Sequence, residues 1–268
     1  MKFLLSSVVF DVPLREGEMT QADLMSIAQD YSLSGLELRD AYWQGGEAEI
    51  NATLARAWEE NVDIVYATGD VLVGKDLRST LDGLSKMLQS VYLAAKMGGG
   101  ILRINAGAIE ENMAIMSDSS YKTMLDKIGQ EAAEIGVVMA LENPTQIGAG
   151  SIMTLNWIFT QYPFIKLTFD TANWLTAGEK PLTALEALAE HIVYIHLKDV
   201  KKEGQTWQFT YPGDGEVPFK EILSKLTHMN YDGYYAFEFS GGQTPRQGLA
   251  KAVGYIKGLG IGLGAKND

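Results

Sequence analysis

Eight short apolar runs, each followed by a longer stretch of helical periodicity, constrain this chain more than any other feature. The runs read as strands at Lys2–Phe10, Leu36–Arg39, Val62–Ala67, Ile101–Asn105, Val137–Glu142, Ile165–Asp170, Ile192–Leu197 and Tyr234–Phe239. Most are apolar at consecutive positions, the pattern of parallel strands covered on both faces. Between them the periodicity switches to steps of three and four. The clearest case opens at Asp76, with Leu77, Leu81, Leu84, Leu88, Val91 and Ala95 on one face, and stops at Gly98–Gly100. Further helices are expected from about Thr20, over about Glu47–Glu60 and Ser119–Ile135, from Ser151 to before Pro163, over Pro181–His191 and Val217–His228, and from Pro245. Eight alternations in 268 residues match the roughly 250 residues of a (β/α)8 barrel. The pattern therefore predicts an α/β fold, a single (β/α)8 TIM barrel forming one domain over residues 1–268. No G-x-G-x-x-G follows the first strand, which argues against an open dinucleotide-binding sheet. A glycine-rich tail, Gly258–Gly264, is expected to fray.

Composition removes several function classes. Acidic residues number 34 and basic residues 22, for a net charge of −12. Nucleic acid is bound through Lys and Arg contacts that release counterions, so no nucleic-acid partner is expected. The chain has no cysteine, which excludes disulfides, thiolate metal sites and a thiol nucleophile. Its three histidines, His191, His196 and His228, exclude a multi-histidine metal cluster. The apolar N-terminus is broken by Ser6 and Ser7 and ends at Asp11, which reads as a buried strand rather than a signal peptide. No run approaches the roughly 20 apolar residues of a membrane span. A cytoplasmic location without membrane partners is the expectation, and a homo-oligomer stays open.

In a barrel, chemistry sits where strands end and the following loops begin. The polar residues fall there: Glu37 and Arg39, Arg103 and Asn105, Glu142 and Asn143, Asp170 and Asn173, His196, Lys198 and Asp199, and Glu238. A charge at the end of an apolar strand is costly unless it is paired or binds a metal. Glu142, Asp170, His196 and Glu238 end four consecutive strands and offer three carboxylates and one imidazole. That donor set suits one divalent ion. Its oxygen content favours Mn2+ or Mg2+, and its imidazole keeps Zn2+ and Co2+ open. The competing expectation is a structural ion-pair network with Arg39, Arg103 and Lys198.

The stretches Leu141-Glu142-Asn143, Phe169-Asp170-Thr171-Ala172-Asn173, Tyr194-Ile195-His196-Leu197-Lys198-Asp199, Pro212-Gly213-Asp214-Gly215-Glu216-Val217 and Phe237-Glu238 resemble the xylose-isomerase-like sugar-phosphate isomerase/epimerase superfamily. The resemblance follows the whole chain in order and spacing. It implies one catalytic metal held by Glu142, Asp170, His196 and Glu238. There are departures. Ketose 3-epimerases of that group often place a histidine where Asn173 stands, and an arginine shortly after the metal histidine, where this chain has Lys198, Lys201 and Lys202. The DNA-repair endonucleases of the group need more histidines than this chain contains.

Isomerisation and epimerisation of sugars both begin with removal of a proton next to a carbonyl. A metal polarises the oxygens and a carboxylate moves the proton. Glu142 and Glu238 are the expected acid/base pair and ligands together, with Asp170 and His196 as ligands only. Glu37, Arg103, Asn173 and Lys198 are candidate contacts to a small-molecule sugar or sugar phosphate. Trp43, Trp174 and Trp207 are candidates to stack on a sugar face, Trp174 foremost. Thr244-Pro245-Arg246 reads as a helix start, either an ordinary cap or a phosphate site. Two other outcomes stay open: a dehydratase that expels hydroxide from the same enediolate, and a metal- or sugar-binding barrel without turnover.

Overall fold

The computed structural model describes residues 1–260. The part of the glycine-rich tail beyond Gly260, expected to fray, lies outside the described residues. Eight parallel strands close a barrel: β1 (Lys2–Ser6), β2 (Gly35–Arg39), β3 (Asp63–Val73), β4 (Ile101–Gly107), β5 (Val138–Glu142), β6 (Ile165–Asp170), β7 (Ile192–Leu197) and β10 (Tyr234–Phe237). Each pairs with its neighbours in sequence order, and β1 closes the ring between β10 and β2. Between β7 and β10 the chain adds an antiparallel hairpin, β8 (Asp199–Glu203) and β9 (Thr206–Thr210).

The apolar runs form strands because they are covered on both sides. Outward residues such as Leu36, Leu38, Leu102, Ile104, Leu141 and Phe169 join the main core beneath the surrounding helices. Inward residues Leu4, Val65, Tyr194 and Ala236 form a second cluster that fills the barrel's lower half. Side chains alternate along a strand, so residues two steps further on point into the upper half. That step leads from Leu4 to Ser6, from Val65 to Ala67, from Tyr194 to His196 and from Ala236 to Glu238.

Helix starts follow the expected chemistry. Asp76 accepts from the Ser79 amide at 2.7 Å, Asp118 from the Ser120 amide at 2.8 Å, and Ser151 from the Thr154 amide at 3.1 Å. Gly98 ends the helix Leu77–Met97 with φ 76°, a conformation glycine adopts without steric cost. At Gly35 a Cβ would lie 1.9 Å from the Asp63 carbonyl oxygen, so β2 and β3 approach only because that position is glycine.

Several boundaries differ from expectation. β1 ends at Ser6. The rest of the apolar run, Ser7–Phe10, winds into a 3-10 turn, with the Ser6 hydroxyl accepting from the Val8 amide at 3.4 Å. Val9 and Phe10 keep their burial there, so the hydrophobic signal was sound and its geometry was not. The predicted helix Pro181–His191 stops at Ala187 and finishes as a 3-10 turn, Ala189–His191. The hairpin β8–β9 was not anticipated. No helix among the described residues is long and apolar enough to cross a membrane.

Candidate active site

Glu142 and Asp170 are the last residues of β5 and β6, His196 is next to last in β7, and Glu238 follows β10 directly. Closure of the barrel brings the four together. One ligand atom from each lies within 4.8 Å of the other three, and all four side chains are buried. The Glu238 amide still donates to the Leu197 carbonyl at 3.2 Å, so the strand register extends to this residue.

Each donor is held by a specific partner. Arg103 Nη2 lies 2.7 Å from Glu142 Oε2, and His196 Nδ1 lies 3.3 Å from Glu142 Oε1. Asp170 Oδ1 accepts from the Ala172 and Asn173 amides, both at 2.9 Å. Glu238 Oε1 accepts from Arg39 Nη2 at 2.5 Å. His196 Nε2 lies 2.6 Å from Glu37 Oε2, which also accepts from the Tyr194 hydroxyl at 2.9 Å. Glu37 Oε1 takes the Ser6 hydroxyl at 2.6 Å and Arg39 Nε at 3.1 Å. Glu37 is therefore the carboxylate that fixes the His196 ring. A proton on Nε2, facing Glu37, leaves the Nδ1 lone pair turned toward Glu142 and Asp170, the arrangement found behind metal-bound histidines.

Electrostatics follows from these contacts. Burial by itself would raise the Glu142 carboxyl, but Arg103, His196 and Lys198 together hold it well below its ordinary value. Burial opposes ionisation of Glu238 too, and Lys198 and Arg39 outweigh it. For Asp170 burial wins: with Glu142 and Glu238 adding repulsion, it is pushed up to about 6 despite Lys198. Burial would lower His196, but Glu37 and Glu142 carry it up to about 9. Lys198 is buried as well, and its carboxylate neighbours keep it charged.

Both readings of the sequence are present in the geometry. Arg39, Arg103 and Lys198 do form the ion-pair network with Glu37, Glu142, Asp170 and Glu238. Four carboxylates face three permanent cations and His196, which its carboxylate neighbours keep protonated at neutral pH; a divalent ion bound here would take the place of the proton on Nδ1. Asp170 Oδ2 and Glu238 Oε2 are buried without a hydrogen-bond partner. Lys198 Nζ is 2.7 and 2.8 Å from them and pairs with both. Two carboxylate oxygens whose one partner is the Lys198 ammonium, a third carboxylate and an oriented imidazole fit a divalent cation. The residues present suit the metal that the sequence implies.

The structure also sorts the candidate substrate contacts. Glu37 is fully buried behind His196 and supports the cluster rather than facing a ligand. Arg103 is committed to Glu142, Thr68 and Asn105. Lys198 stands at the mouth with its ammonium 5.1 Å from the Phe209 ring centroid. Trp174 is a correction: it has no exposed surface and packs against Phe169 with ring centroids 5.3 Å apart, so it cannot stack on a sugar. Trp207 lies on β9 with Lys202 over its ring. The exposed aromatic beside Lys198 is Phe209, 48% exposed on the unanticipated hairpin. At Thr244-Pro245-Arg246 a helix does begin, but Thr244 makes no side-chain cap and Arg246 turns to Asp30 at 3.5 Å.

Asp199 has a supporting part. Its carboxylate accepts from the Val200, Gly213, Gly215 and Val217 amides at 2.8–3.0 Å, clamping the base of the hairpin. A Cβ at residue 215 would lie 2.4 Å from Asp199 Oδ1, which explains the glycine. Beside Glu142 a pocket of about 280 Å3 opens between the loops that follow β4, β5 and β6, with Asn105, Asn143, Gln146 and Asn173 on its walls.

Comparison with known proteins agrees with this geometry. The family described as xylose isomerase-like TIM barrel matches residues 26–259. An inosose dehydratase from Lacticaseibacillus casei is 24% identical over 177 residues, 59% of this chain and 59% of that protein. One from Clostridium perfringens is 25% identical over 199 residues, 66% of this chain and 67% of that protein. The alignment thus spans 59% of the length of the first of these relatives. Among solved structures, a D-tagatose 3-epimerase-like protein superposes with a TM-score of 0.76 at 18% identity over 97% of both chains. A probable 3-DHS dehydratase from Bacillus anthracis does so with 0.74 at 16% identity, over 96% of this chain and 99% of that one. At these identities the structural likeness speaks for the fold.

Proposed function

Because the chain belongs to the xylose isomerase-like TIM barrel family, we propose that it is a divalent-metal-dependent isomerase or epimerase of a sugar or sugar phosphate, working through an enediolate. The observation that carries this reading is the buried cluster in which Glu142 and Glu238 flank Asp170 and His196 within 4.8 Å. A divalent ion bound by these four residues, Mn2+ or Mg2+ by donor chemistry, supplies Lewis acidity toward the carbonyl and neighbouring hydroxyl oxygens.

The chain's own residues do the rest. Glu142 and Glu238 are held as carboxylates by Arg103, Lys198 and Arg39, so at neutral pH each is ready to accept a proton. One takes the proton from the carbon next to the carbonyl. The same group returns it to the adjacent carbon in isomerisation; in epimerisation the other glutamate, first protonated from solvent, delivers its own proton to the opposite face, and the first then releases its proton to solvent. Lys198, held at the mouth by Asp170 and Glu238, orients a substrate oxygen. The inosose dehydratase relatives favour a second reading, in which the enediolate instead expels hydroxide from the next carbon.

The test uses Glu142→Gln and Glu238→Gln at saturating Mn2+, with metal occupancy measured. Candidate ketoses and inososes are incubated in D2O. Each variant is expected to lose about 10²–10⁴-fold in turnover, the usual worth of general acid–base catalysis. Full activity of either at full occupancy removes that glutamate from proton transfer. Product mass decides between the readings, since a dehydratase product is lighter by one water.

A further inference from the structure

The ring of donor atoms already holds a cation of the chain's own. In each of the three carboxylate ligands the surrounding network takes one oxygen. Glu142 gives Oε2 to Arg103, Asp170 gives Oδ1 to the Ala172 and Asn173 amides, and Glu238 gives Oε1 to Arg39. Glu142 Oε1, Asp170 Oδ2, Glu238 Oε2 and His196 Nδ1 are left over for an ion. The Lys198 ammonium stands against the first three: Nζ is 3.8 Å from Glu142 Oε1, 2.7 Å from Asp170 Oδ2 and 2.8 Å from Glu238 Oε2. No hydrogen bond from any other group reaches Asp170 Oδ2 or Glu238 Oε2.

Two cations on the same oxygens repel each other. A divalent ion bonds carboxylate oxygens at about 2.0–2.2 Å, nearer than the ammonium stands. The charges also close without the lysine. Glu37, Glu142, Asp170 and Glu238 are four carboxylates, and Arg39, Arg103 and one divalent ion match them. An ammonium kept beside them would be a buried positive charge in excess, which is costly.

The lysine has somewhere to go. Its backbone is pinned: its amide donates to Thr171 Oγ1 at 3.0 Å, and the Thr171 hydroxyl donates to its carbonyl at 2.6 Å. Movement is therefore confined to the side chain, which is 13% exposed at the mouth. The Phe209 ring centroid lies 5.1 Å from Nζ, and an aromatic face attracts an ammonium within about 6 Å. The ammonium can thus leave the ring of donors with its charge kept and one partner still beside it.

Resting on the metal-dependent reading above, we propose that Lys198 is an exchangeable counter-ion. Its ammonium competes with the divalent ion for Glu142 Oε1, Asp170 Oδ2 and Glu238 Oε2, and the ion displaces it toward Phe209 and the mouth. The lysine therefore sets how tightly the metal is held, and loading the metal frees the ammonium for a substrate oxygen.

The experiment titrates chelator-stripped protein with Mn2+ against a competing chelator at one fixed pH. Wild type is compared with Lys198→Met and with Lys202→Met, which removes the same charge from an exposed position over Trp207. Lys198→Met is expected to bind Mn2+ about tenfold or more tightly than wild type. Lys202→Met, screened by solvent, is expected to stay within about twofold. Equal or weaker binding by Lys198→Met overturns the proposal. The same gain in Lys202→Met overturns it too, since net charge alone would then explain the effect. A second measurement needs no variant. In a crystal structure of the Mn2+-loaded wild-type protein, Nζ is expected beyond hydrogen-bond reach of Asp170 Oδ2 and Glu238 Oε2. An ammonium still on both oxygens with the ion bound overturns the exchange. Equal Mn2+ binding by wild type and Lys198→Met leaves the metal-dependent reading standing and removes the exchange. Binding by Lys198→Met alone supports the exchange and removes the metal from the wild-type reaction. Binding by neither removes both.

Discussion

The lower and upper halves of the barrel interior are built by the same strands and obey opposite rules. Below, Leu4, Val65, Tyr194 and Ala236 fill the space with apolar side chains. Two residues further along, Ser6, Glu37, Arg103, Glu142, Asp170, His196 and Glu238 fill it with buried charges and hydroxyls that pair across the ring, with Asp170 Oδ2 and Glu238 Oε2 left without a hydrogen bond. Burying an apolar side chain stabilises the fold by about 1.5–3 kcal/mol. Buried ion pairs return little once desolvation is counted. The difference teaches where this fold keeps its stability and where it gives some up, and the boundary between the two is crossed in two residues of each strand. Tyr194 spans it, with its ring in the lower cluster and its hydroxyl on Glu37.

If that division holds, substitutions above and below should separate metal binding from stability. The largest effect is expected from Asp170→Asn and His196→Ala, each of which should remove the bound divalent ion outright. Elemental analysis of protein dialysed against excess Mn2+ would retire the ligand assignment if both kept one ion per chain. Next comes Leu4→Ala in the lower cluster, expected to cost about 2–5 kcal/mol in urea unfolding while the folded protein keeps full metal stoichiometry. A folded Leu4→Ala protein that had lost its ion would show that the two halves are not separable. Glu37→Gln, at the boundary, should weaken metal affinity by about 10–100-fold, as loss of a carboxylate behind a metal-bound histidine does. Unchanged affinity in a competition titration with a chelator would confine Glu37 to structure. The smallest effect is expected outside the barrel: Asp118→Ala removes a helix cap and should cost about 1 kcal/mol, with no change in metal affinity.

The barrel was legible because strands covered on both faces leave continuous apolar runs. The four donors were legible because an acid or imidazole at the end of such a run is conspicuous. Other parts of the site gave no local signal. Glu37 and His196 are 159 residues apart in sequence, and only ring closure makes them partners. Arg39, read as a member of an ion-pair network, turns out to join Glu37 to Glu238 from opposite ends of the chain. Trp174 misled because an aromatic at the base of a loop has the same sequence signature whether it packs inward or faces a ligand. The hairpin escaped because its strands, such as Asp199-Val200-Lys201-Lys202-Glu203, are polar and exposed toward the tip. Phe209 was missed with it.

The clamp at Asp199 has a consequence for how such a barrel can change over time. Four backbone amides converge on one carboxylate at the foot of the hairpin, so the chain between Lys201 and Tyr211 is tied off from the strand that carries His196. Insertions, deletions or a wholesale graft in that stretch alter what overhangs the mouth, Phe209 included, while the ring of donors keeps its register. One aspartate thus holds the hairpin's foot against the barrel while the residues beyond it decide what overhangs the mouth.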